Sequence, residues 1–408
     1  MKLLIFGAGK NSEKIMTCLK TEAVVTAFVD NDSTKWGKTL FGKKVIAPDQ
    51  IRREEFDFII IAVLNNQGII DQLLEFGIKL QKIINPFSYD HKKYREWRNI
   101  FYIEELIYLE MNQKIEHLST YIGNLEYELA ARMRDGKIKY PKILSWEDAV
   151  YEIVVHGKSM SRYGDGEFDL MLDRQNSFQC CDARLKTRLQ EVLISTLPNH
   201  IIGIPDAYGY FENRTEEFIQ CFRNHLKDGT RDKEYKMLDM DKVYYDSFLT
   251  RPYKDYVDRS NVSDKFRRLK TIWEGRELTI VEGERTRLGV GNDLFAGAKS
   301  CIRILAPCTN AWSKYAELLD AVLKTEKNRL VLIALGATAT VLAYDLAKAG
   351  YQAVDIGHID IEYEWYLKGV EQMIPIEGKY TNEVPGGRNT SAFWKDETYE
   401  REIIKWIR

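Results

Sequence analysis

The feature that most constrains the fold of this 408-residue chain is a repeated alternation of short apolar runs with helical segments. The run Phe58–Val63 (FIIIAV) is apolar at every position, whereas a strand with one face in water alternates apolar and polar residues. A strand buried on both faces and followed by a helix is typical of a parallel sheet covered by helices. The sequence therefore predicts an α/β fold with mostly parallel sheets.

The alternation occurs in two blocks joined by a long helical stretch. Residues 1–87 predict a small Rossmann-like domain, which Asn85-Pro86 closes. Residues 88–141 predict a helical linker. Five apolar residues in this linker follow the 3-4 spacing of a coiled coil, and they are Ile115, Leu118, Ile122, Leu125 and Leu129. Because a single helix cannot bury such a stripe alone, we expect segment 103–133 to join copies of the chain into a homo-oligomer. The alternative is that the stripe packs against the chain's own domains.

Residues 142–408 predict a second, larger α/β domain. Its expected strands are Ile201–Ile204, Leu278–Val281, Ile302–Ala306, Leu330–Leu335 and Ala353–Ile356, together with one that precedes Asp165. The stretch 227–270 is polar and rich in aromatic residues, and it is predicted to be irregular.

The composition excludes several classes of protein. The chain has 59 lysine and arginine residues against 61 aspartate and glutamate residues, so its net charge of −2 predicts no nucleic-acid surface. The six cysteines lack C-x-x-C spacing, which is typical of reduced thiols in a cytoplasmic protein. No window reaches the ~18 apolar residues of a membrane span. We therefore expect a soluble, cytoplasmic protein, for which a peripheral membrane contact stays open.

Two carboxylates that lie two residues apart, Asp165 and Glu167, occur in a glycine-flanked turn. If the backbone stays extended there, the side chains at i and i+2 share a face. Mg²⁺ and Mn²⁺ commonly take one or two carboxylates together with substrate phosphates. The pair therefore predicts a divalent-metal site that holds a nucleotide diphosphate, against the alternative of an ordinary solvated turn.

A second polar segment, residues 282–293, follows a predicted strand, and open α/β sheets bind ligands at the carboxyl ends of their strands. Arg285 and Arg287 offer forked donors for phosphate oxygens. Asn292 and Asp293 carry groups that read the hydroxyls of a sugar or ribose. The alternative is a salt-bridged surface loop.

A third segment begins with Gly336 between a predicted strand and a helix. A glycine turn at a helix N-terminus forms an anion site from free N–H groups and the helix dipole. Thr338 and Thr340 add hydroxyl donors. The alternative is a plain connection with a threonine cap.

The segment 355–365 concentrates four carboxylates, a histidine and aromatic side chains. Aromatic faces pack on sugar rings, and carboxylates bind hydroxyls or accept protons. Glu364 shares a face with Asp360 whether the segment is extended or helical, and it stands beside Trp365. We therefore predict catalytic roles for Glu364, His358 and Asp360, with Glu364 first among them.

In this order, these segments resemble the GT-D type glycosyltransferases of bacteria. The matching stretches are RYGDGEF (162–168), ERTRLGVGNDLF (284–295) and the run 334–365, within a resemblance that covers about residues 142–408. It implies that Asp165 and Glu167 hold Mn²⁺ or Mg²⁺ against the diphosphate of a UDP-sugar, with Arg162 among the nucleotide-binding residues. It also implies that the turn 336–340 helps bind UDP and that His358 and Glu364 lie near the transferred sugar. One departure is Ala337, where we expect proline in the family.

Residues 1–87 look like the Rossmann-type domains fused to sugar acyltransferases and sugar-nucleotide dehydratases. Gly7 and Gly9 begin a G-x-G-x-x-G-like fingerprint in which Ser12 takes the third glycine position. Asp30 stands where a ribose-binding acid belongs. Binding of NAD(P) and a regulatory or docking role without a cofactor both stay open.

The predicted function is a metal-dependent glycosyltransferase that moves a hexose, glucose or galactose, from a UDP-sugar to a hydroxyl of a surface glycan or glycoprotein. One alternative is an NAD-dependent oxidoreductase that acts on a sugar nucleotide through Gly7–Ser12. Another is a nucleotide-sensing scaffold protein that uses the helical linker. The acidic clusters lie in the second domain, and the first carries no hydride-transfer constellation, which favours the transferase.

Overall fold

A computed structural model of the chain describes residues 1–63, 66–88, 91–133, 136–176, 178–381, 383–384, 387 and 396–408. The chain forms two compact units, Met1–Ser119 and Thr120–Arg408. Both contain mostly parallel sheets, as the apolar runs predict. Within the residues described, we find no helix that combines the length and the apolar character needed to cross a membrane.

The first unit is built on a six-stranded sheet. Its strands are β1 (Lys2–Phe6), β2 (Val24–Val29), β3 (Thr39–Leu40), β4 (Lys43–Ile46), β5 (Phe58–Ile61) and β6 (Ile83–Ile84). The order is β3-β4-β2-β1-β5-β6, and every neighbouring pair is parallel except β3 with β4. Ile60 and Ala62 enter one apolar cluster, whereas Ile59 and Ile61 enter another on the opposite face. Burial on both faces explains the uninterrupted apolar run of β5.

Helices accompany this sheet and continue past it. They are α1 (Lys10–Cys18), α2 (Gln67–Glu75), α3 (His91–Trp97) and α4 (Ile103–Met133). The predicted linker 88–141 therefore consists largely of α3 and α4. The 31-residue helix α4 belongs to the first unit up to Ser119 and to the second from Thr120.

The second unit is built on a nine-stranded parallel sheet. Its strands are β7 (Lys142–Leu144), β8 (Ser159–Arg162), β9 (His200–Ile204), β10 (Val243–Asp246), β11 (Glu277–Gly283), β12 (Ser300–Ala306), β13 (Leu330–Ala334), β14 (Ala353–Asp355) and β15 (Ile403–Trp406). The order is β15-β12-β11-β13-β14-β8-β9-β10-β7. Leu278 and Ile280 of β11 enter one apolar cluster, and Val281 enters another.

Among the residues described, ten further α-helices belong to this unit. They are α5 (Trp146–Val155), α6 (Asp165–Met171), α7 (Ala183–Leu193), α8 (Glu216–Leu226), α9 (Thr230–Met237), α10 (Val262–Lys270), α11 (Tyr315–Leu323), α12 (Ala337–Lys348), α13 (Ile359–Lys368) and α14 (Glu397–Glu402). They connect successive parallel strands, which is typical of an α/β fold.

The prediction that stretch 227–270 is irregular is wrong. It contains α9, β10 and α10, and β10 pairs with β9 and β7 inside the sheet. Tyr244 and Tyr245 are buried in apolar clusters on opposite faces of β10. Because these tyrosines carry hydroxyls and are flanked by charged residues, the sequence shows no apolar run here, although the strand is buried on both faces.

Candidate active site

A cavity of about 620 Å³ opens in the second unit, where β8, β10, β13 and β14 end. The carboxyl ends of parallel strands are the usual ligand sites of open α/β sheets, and the volume suits a small-molecule ligand. Its wall includes the ionisable residues Asp165, Glu167, Asp355, His358 and Glu383, and also Gly336.

Asp165 and Glu167 both line this cavity, but on a helix instead of an extended turn. The expectation of extended backbone is wrong because Glu167 closes a capping box at the start of α6. Gly164 is the N-cap, and its backbone N–H donates to Glu167 Oε2 at 2.7 Å. Asp165 stays exposed in the first turn. The metal pair predicted from the sequence therefore lies at a helix N-terminus in the cavity wall.

The electrostatics of this wall favour a cation. The pKa of Glu167 is raised to about 7, first by burial and then by the nearby Asp355 and Asp165, against the hydrogen bond from Gly164 and the charge of Arg162. Such a carboxylate gains from a positive ion. Within the described part of the chain, no group of three or more His, Cys, Asp or Glu side chains could hold a metal. Two carboxylates with phosphate and water oxygens are nevertheless a common Mg²⁺ ligand set, so Asp165 and Glu167 fit this role.

Arg162, predicted to bind the nucleotide, joins three strand ends beside the cavity. It donates from Nε to the Asp355 carbonyl at 2.9 Å and from Nη2 to Asp355 Oδ1 at 3.0 Å. Nη1 donates to the Ser247 carbonyl at 3.1 Å and to Thr250 Oγ1 at 2.8 Å. Four hydrogen bonds occupy much of the five-donor guanidinium. These contacts assign Arg162 to positioning β8, β14 and the turn after β10.

A histidine–carboxylate pair occupies another part of the wall. His358 is the N-cap of α13, and its Nε2 lies 3.5 Å from Glu383 Oε1. Burial alone would raise the pKa of Glu383, but Arg251 and His358 outweigh it and lower that pKa to about 2. Burial lowers the pKa of His358, against the effect of Glu383. At neutral pH the pair is therefore a neutral imidazole beside a carboxylate.

The sequence gives no local signal for Glu383 or Arg251. Each stands apart from the polar segments that predict the site, and Arg251 lies in the stretch that was expected to be irregular. Arg251 donates directly to Glu383 across 132 residues of chain. Asp355 had a signal, because it opens the acidic segment after a predicted strand.

Gly336 brings the N-terminus of α12 to the cavity. It is the N-cap at φ +53°, and a Cβ at this position would overlap the ring of Phe178. Glycine is thus required by both backbone and space. The two threonines predicted to add hydroxyl donors do not line the cavity. Thr338 and Thr340 are buried outside the cavity wall, and Thr340 Oγ1 donates to the Arg162 carbonyl at 2.9 Å.

Asp360 and Glu364 lie in a buried ionic cluster instead of the cavity wall. Lys379 Nζ lies 2.6 Å from Asp360 Oδ2 and 3.0 Å from Glu364 Oε1. Asn292 Nδ2 donates to Asp360 Oδ1 at 2.8 Å and to Glu364 Oε1 at 2.7 Å. This placement argues against the predicted catalytic roles of both acids, and against sugar recognition by Asn292. All three hold α13 against the loop 284–293.

The remaining polar residues that the sequence predicts as ligand contacts in this loop also lie outside the cavity wall. Asp293 accepts hydrogen bonds from Lys270 at 2.9 Å and from the Tyr363 hydroxyl at 2.6 Å. Arg287 is buried with its guanidinium 5.3 Å from the ring centre of Tyr399, and Arg285 is exposed. None of the three lines the cavity. The loop reaches the cavity through Thr286 and Leu288, so its predicted phosphate contacts are not supported.

In the first unit, the glycine fingerprint forms the turn between β1 and α1. Gly7 adopts φ +108° and its N–H donates to the Val29 carbonyl at 2.7 Å, while Gly9 is the N-cap of α1. Asp30 accepts from the Ala8 N–H at 2.7 Å and from Lys35 Nζ at 2.9 Å. A ribose would have to compete with these donors for the Asp30 carboxylate.

The family model of the glycosyltransferase GT-D fold matches residues 160–384, which is more than half of the chain. The chain belongs to the GT-D glycosyltransferase family. The match includes all the strand ends that form the cavity. A second family model, described as C2185-like, N-terminal, matches residues 1–84.

Two curated relatives come from streptococci. Glycosyltransferase GlyD of Streptococcus pneumoniae is 33% identical over 293 residues, which are 72% of this chain and 36% of GlyD. The probable glycosyl transferase Gly of Streptococcus gordonii is 36% identical over 263 residues, 64% of this chain and 38% of that protein. The chain therefore spans just over a third of the length of these relatives.

Solved structures show the same fold. A domain of unknown function 1792, described as having a distinct glycosyltransferase fold, is 34% identical with a TM-score of 0.62, over 66% of this chain and 96% of that one. A new glycosyltransferase with this domain from Streptococcus sanguinis is 35% identical with a TM-score of 0.62, over 66% of this chain and 100% of that one.

Proposed function

We propose that this chain is a metal-dependent glycosyltransferase that moves a hexose, glucose or galactose, from a UDP-sugar to a hydroxyl of a surface glycan or glycoprotein. The observation that carries the proposal is the position of Asp165 and Glu167 in the wall of a cavity at the carboxyl ends of the strands. The names of the streptococcal relatives support the reaction class. A cytoplasmic location belongs to the same proposal.

On the donor side, Asp165 and Glu167 would hold Mn²⁺ or Mg²⁺ against the diphosphate. A divalent ion bound there supplies positive charge that stabilises the departing UDP. Gly336 and Ala337 begin α12 at the cavity, where free N–H groups and the helix dipole favour phosphate oxygens. Asp355, held by Arg162, contributes to the negative potential that attracts the ion.

On the acceptor side, we assign the proton-accepting role to His358. Its neutral imidazole suits removal of a proton from an acceptor hydroxyl, and the carboxylate of Glu383 would stabilise the imidazolium that forms. Arg251 keeps Glu383 ionised and in place. The role predicted for Glu364 thus passes to a residue of the cavity wall.

The test is donor hydrolysis by the full chain in Mn²⁺, with UDP-glucose and UDP-galactose in a panel of nucleotide-sugars. We expect consumption of a UDP-sugar that stops in EDTA and in the variants Asp165→Asn and Glu167→Gln. Asp169→Asn is the matched control, because Asp169 lies on the same helix outside the cavity wall. Full activity in EDTA would contradict the metal assignment, and no turnover of any nucleotide-sugar would contradict the transferase.

Cofactor binding by the first unit stays a separate prediction. Titration of the full chain with NADH, followed by nucleotide fluorescence, tests whether the turn at Gly7 and Gly9 binds a dinucleotide. Binding that is lost in Gly9→Asp would support a cofactor site. Consumption of NADH with a sugar nucleotide would favour the oxidoreductase over the transferase.

A further inference from the structure

Helix α4 presents an apolar stripe to solvent. The stripe consists of Tyr108, Met111, Ile115, Leu118, Ile122, the half-buried Leu125 and Leu129. The six exposed members leave between 46% and 66% of their surface accessible. Contiguous apolar patches of this kind are uncommon on monomeric proteins and mark interaction sites.

The opposite side of the helix, in the part that belongs to the second unit, carries polar residues that attach it to that unit. Asn124 Nδ2 donates to the Arg223 carbonyl at 3.1 Å, and Arg231 Nη2 donates to Asn124 Oδ1 at 2.7 Å. Arg223 forms a two-point ion pair with Glu128 at 2.7 and 2.8 Å. Asn124 and Glu128 are both buried. The amphipathic pattern is therefore inverted over this stretch, with polar residues inside and apolar residues outside.

The stripe repeats with the strict period of a coiled coil. From Tyr108 to Leu129 the apolar positions are separated by alternating steps of three and four residues through three heptads. Ile115 and Ile122 occupy the first apolar position of their heptads, whereas Leu118 and Leu125 occupy the second. Isoleucine at the first and leucine at the second position favour two-stranded parallel coiled coils.

We propose that a second copy of this chain covers the stripe, with the two α4 helices parallel and in register. In that arrangement Ile115 and Ile122 pack on their own counterparts, as a twofold axis requires. The stripe is ~30 Å long at 1.5 Å per residue. Its side chains offer on the order of 700 Å² per copy, near the ~800 Å² per partner of specific interfaces. The proposal does not rest on the transferase activity.

Sedimentation velocity of the full chain over a range of concentrations tests the pairing. We expect a species of twice the 47.6 kDa chain mass. The double variant Ile115→Asp/Ile122→Asp should sediment as the single chain, because it places four carboxylates in the seam. His117→Asp is the control, since His117 is exposed on the same helix outside the stripe, and it should remain paired. Circular dichroism of each variant is the folding control, and it should show the helix content of the wild type.

The register is tested by mixing charges. Ile122→Asp and Ile122→Lys should each weaken pairing at least tenfold, and an equimolar mixture should restore it, because residue 122 faces its counterpart in the parallel, in-register pair. In an antiparallel pair that overlaps over the whole stripe, residue 122 would instead lie opposite residue 115. Failure of the mixture to restore pairing would overturn this geometry. A wild-type chain that stays single at all concentrations, or pairing that persists in the double aspartate variant, would overturn the proposal itself.

Discussion

Arg162 Nη2 lies 3.0 Å from Asp355 Oδ1, and this ion pair ties the end of β8 to the end of the neighbouring strand β14. Only 14% of the Arg162 side chain and 5% of the Asp355 side chain are accessible. Burial raises the pKa of Asp355, and the adjacent guanidinium opposes this effect. Because both residues line the cavity that Asp165 and Glu167 also line, the pair helps to set the geometry of its wall.

We expect Arg162→Met to lower the free energy of unfolding of the second unit by ~3–5 kcal/mol, because it leaves Asp355 buried without its cation. Asp355→Asn keeps an acceptor for Arg162 and should cost less. Calorimetric melting of the full chain measures both. Lys139→Met removes the exposed pair with Asp241 and should leave the melting temperature unchanged. Equal melting of Arg162→Met and wild type would show that the pair contributes no net stability.

Comparing Gly336→Ala with Gly350→Ala should separate the effect of a strained backbone on stability from the effect of an added Cβ on the cavity. Alanine at φ +53° strains the backbone by ~1–3 kcal/mol, and its Cβ also displaces the ring of Phe178 from the cavity wall. Gly350→Ala is the matched control, because Gly350 has φ +84° but its nearest neighbour would be Lys327 Nζ at 3.9 Å. Both variants should melt earlier. Only Gly336→Ala should weaken UDP binding in Mn²⁺ by tenfold or more, as measured by calorimetry.

The parallel strands could be predicted from the sequence because burial on both faces leaves an uninterrupted apolar run. That rule works for β5 and fails for β10, where Tyr244 and Tyr245 supply the two buried faces. Strand β10 is recognisable only when its neighbours β9 and β7 are known. The carboxylates of α6 were found, whereas their helical geometry depends on a backbone hydrogen bond to Glu167 that spacing alone does not reveal.

The candidate site shows the same division between local and long-range information. Asp165, Glu167, Gly336 and His358 follow strands and line the cavity as their positions predict. Glu383 joins them through contacts with distant residues, so no local pattern identifies it. A cluster of acidic residues in the sequence is not by itself evidence of a catalytic site. Asp360 and Glu364 are neutralised by Lys379, which lies 19 and 15 residues further along the chain and cannot be identified as their partner from local sequence.

His200 should make the second unit sensitive to acid. Burial, followed by Lys242, lowers its pKa to about 3, and its Nε2 pairs with Ser161 Oγ at 2.8 Å. The unfolded chain binds a proton below about pH 6.5, whereas the folded chain does so only near pH 3. The stability that neutral His200 contributes above pH 6.5 is therefore lost as the pH falls, by ~1.4 kcal/mol per unit.

Melting temperatures between pH 7.5 and 4.5 test this dependence. His200→Gln should melt earlier than wild type at pH 7.5 but lose stability less steeply as the pH falls. His117→Gln, which changes an exposed histidine, should keep the wild-type slope. Parallel curves for wild type and His200→Gln would show that another group carries the acid sensitivity.

The ionic cluster under α13 distinguishes a structural carboxylate from a catalytic one. Lys379→Met leaves the buried Asp360 without its cation, whereas Glu364 keeps Lys368 Nζ at 3.8 Å. Because a buried carboxylate loses its partner, we expect a loss of ~3–5 kcal/mol in calorimetric melting. Glu364→Gln keeps an oxygen that accepts from Asn292 and Lys379. It should therefore cost about 1 kcal/mol and leave the kcat of donor turnover within twofold of wild type.

His358→Gln provides the opposite case, because His358 lines the cavity and lies 3.5 Å from Glu383. Loss of a proton acceptor costs ~10²–10⁴-fold in rate, so kcat for transfer should fall by this factor while the melting temperature stays near wild type. The reverse result, a slow Glu364→Gln with unchanged melting and an active His358→Gln, would return the catalytic role to Glu364. Measuring kcat and melting on the same preparations separates the two outcomes, since a structural defect lowers both while a catalytic one lowers kcat alone.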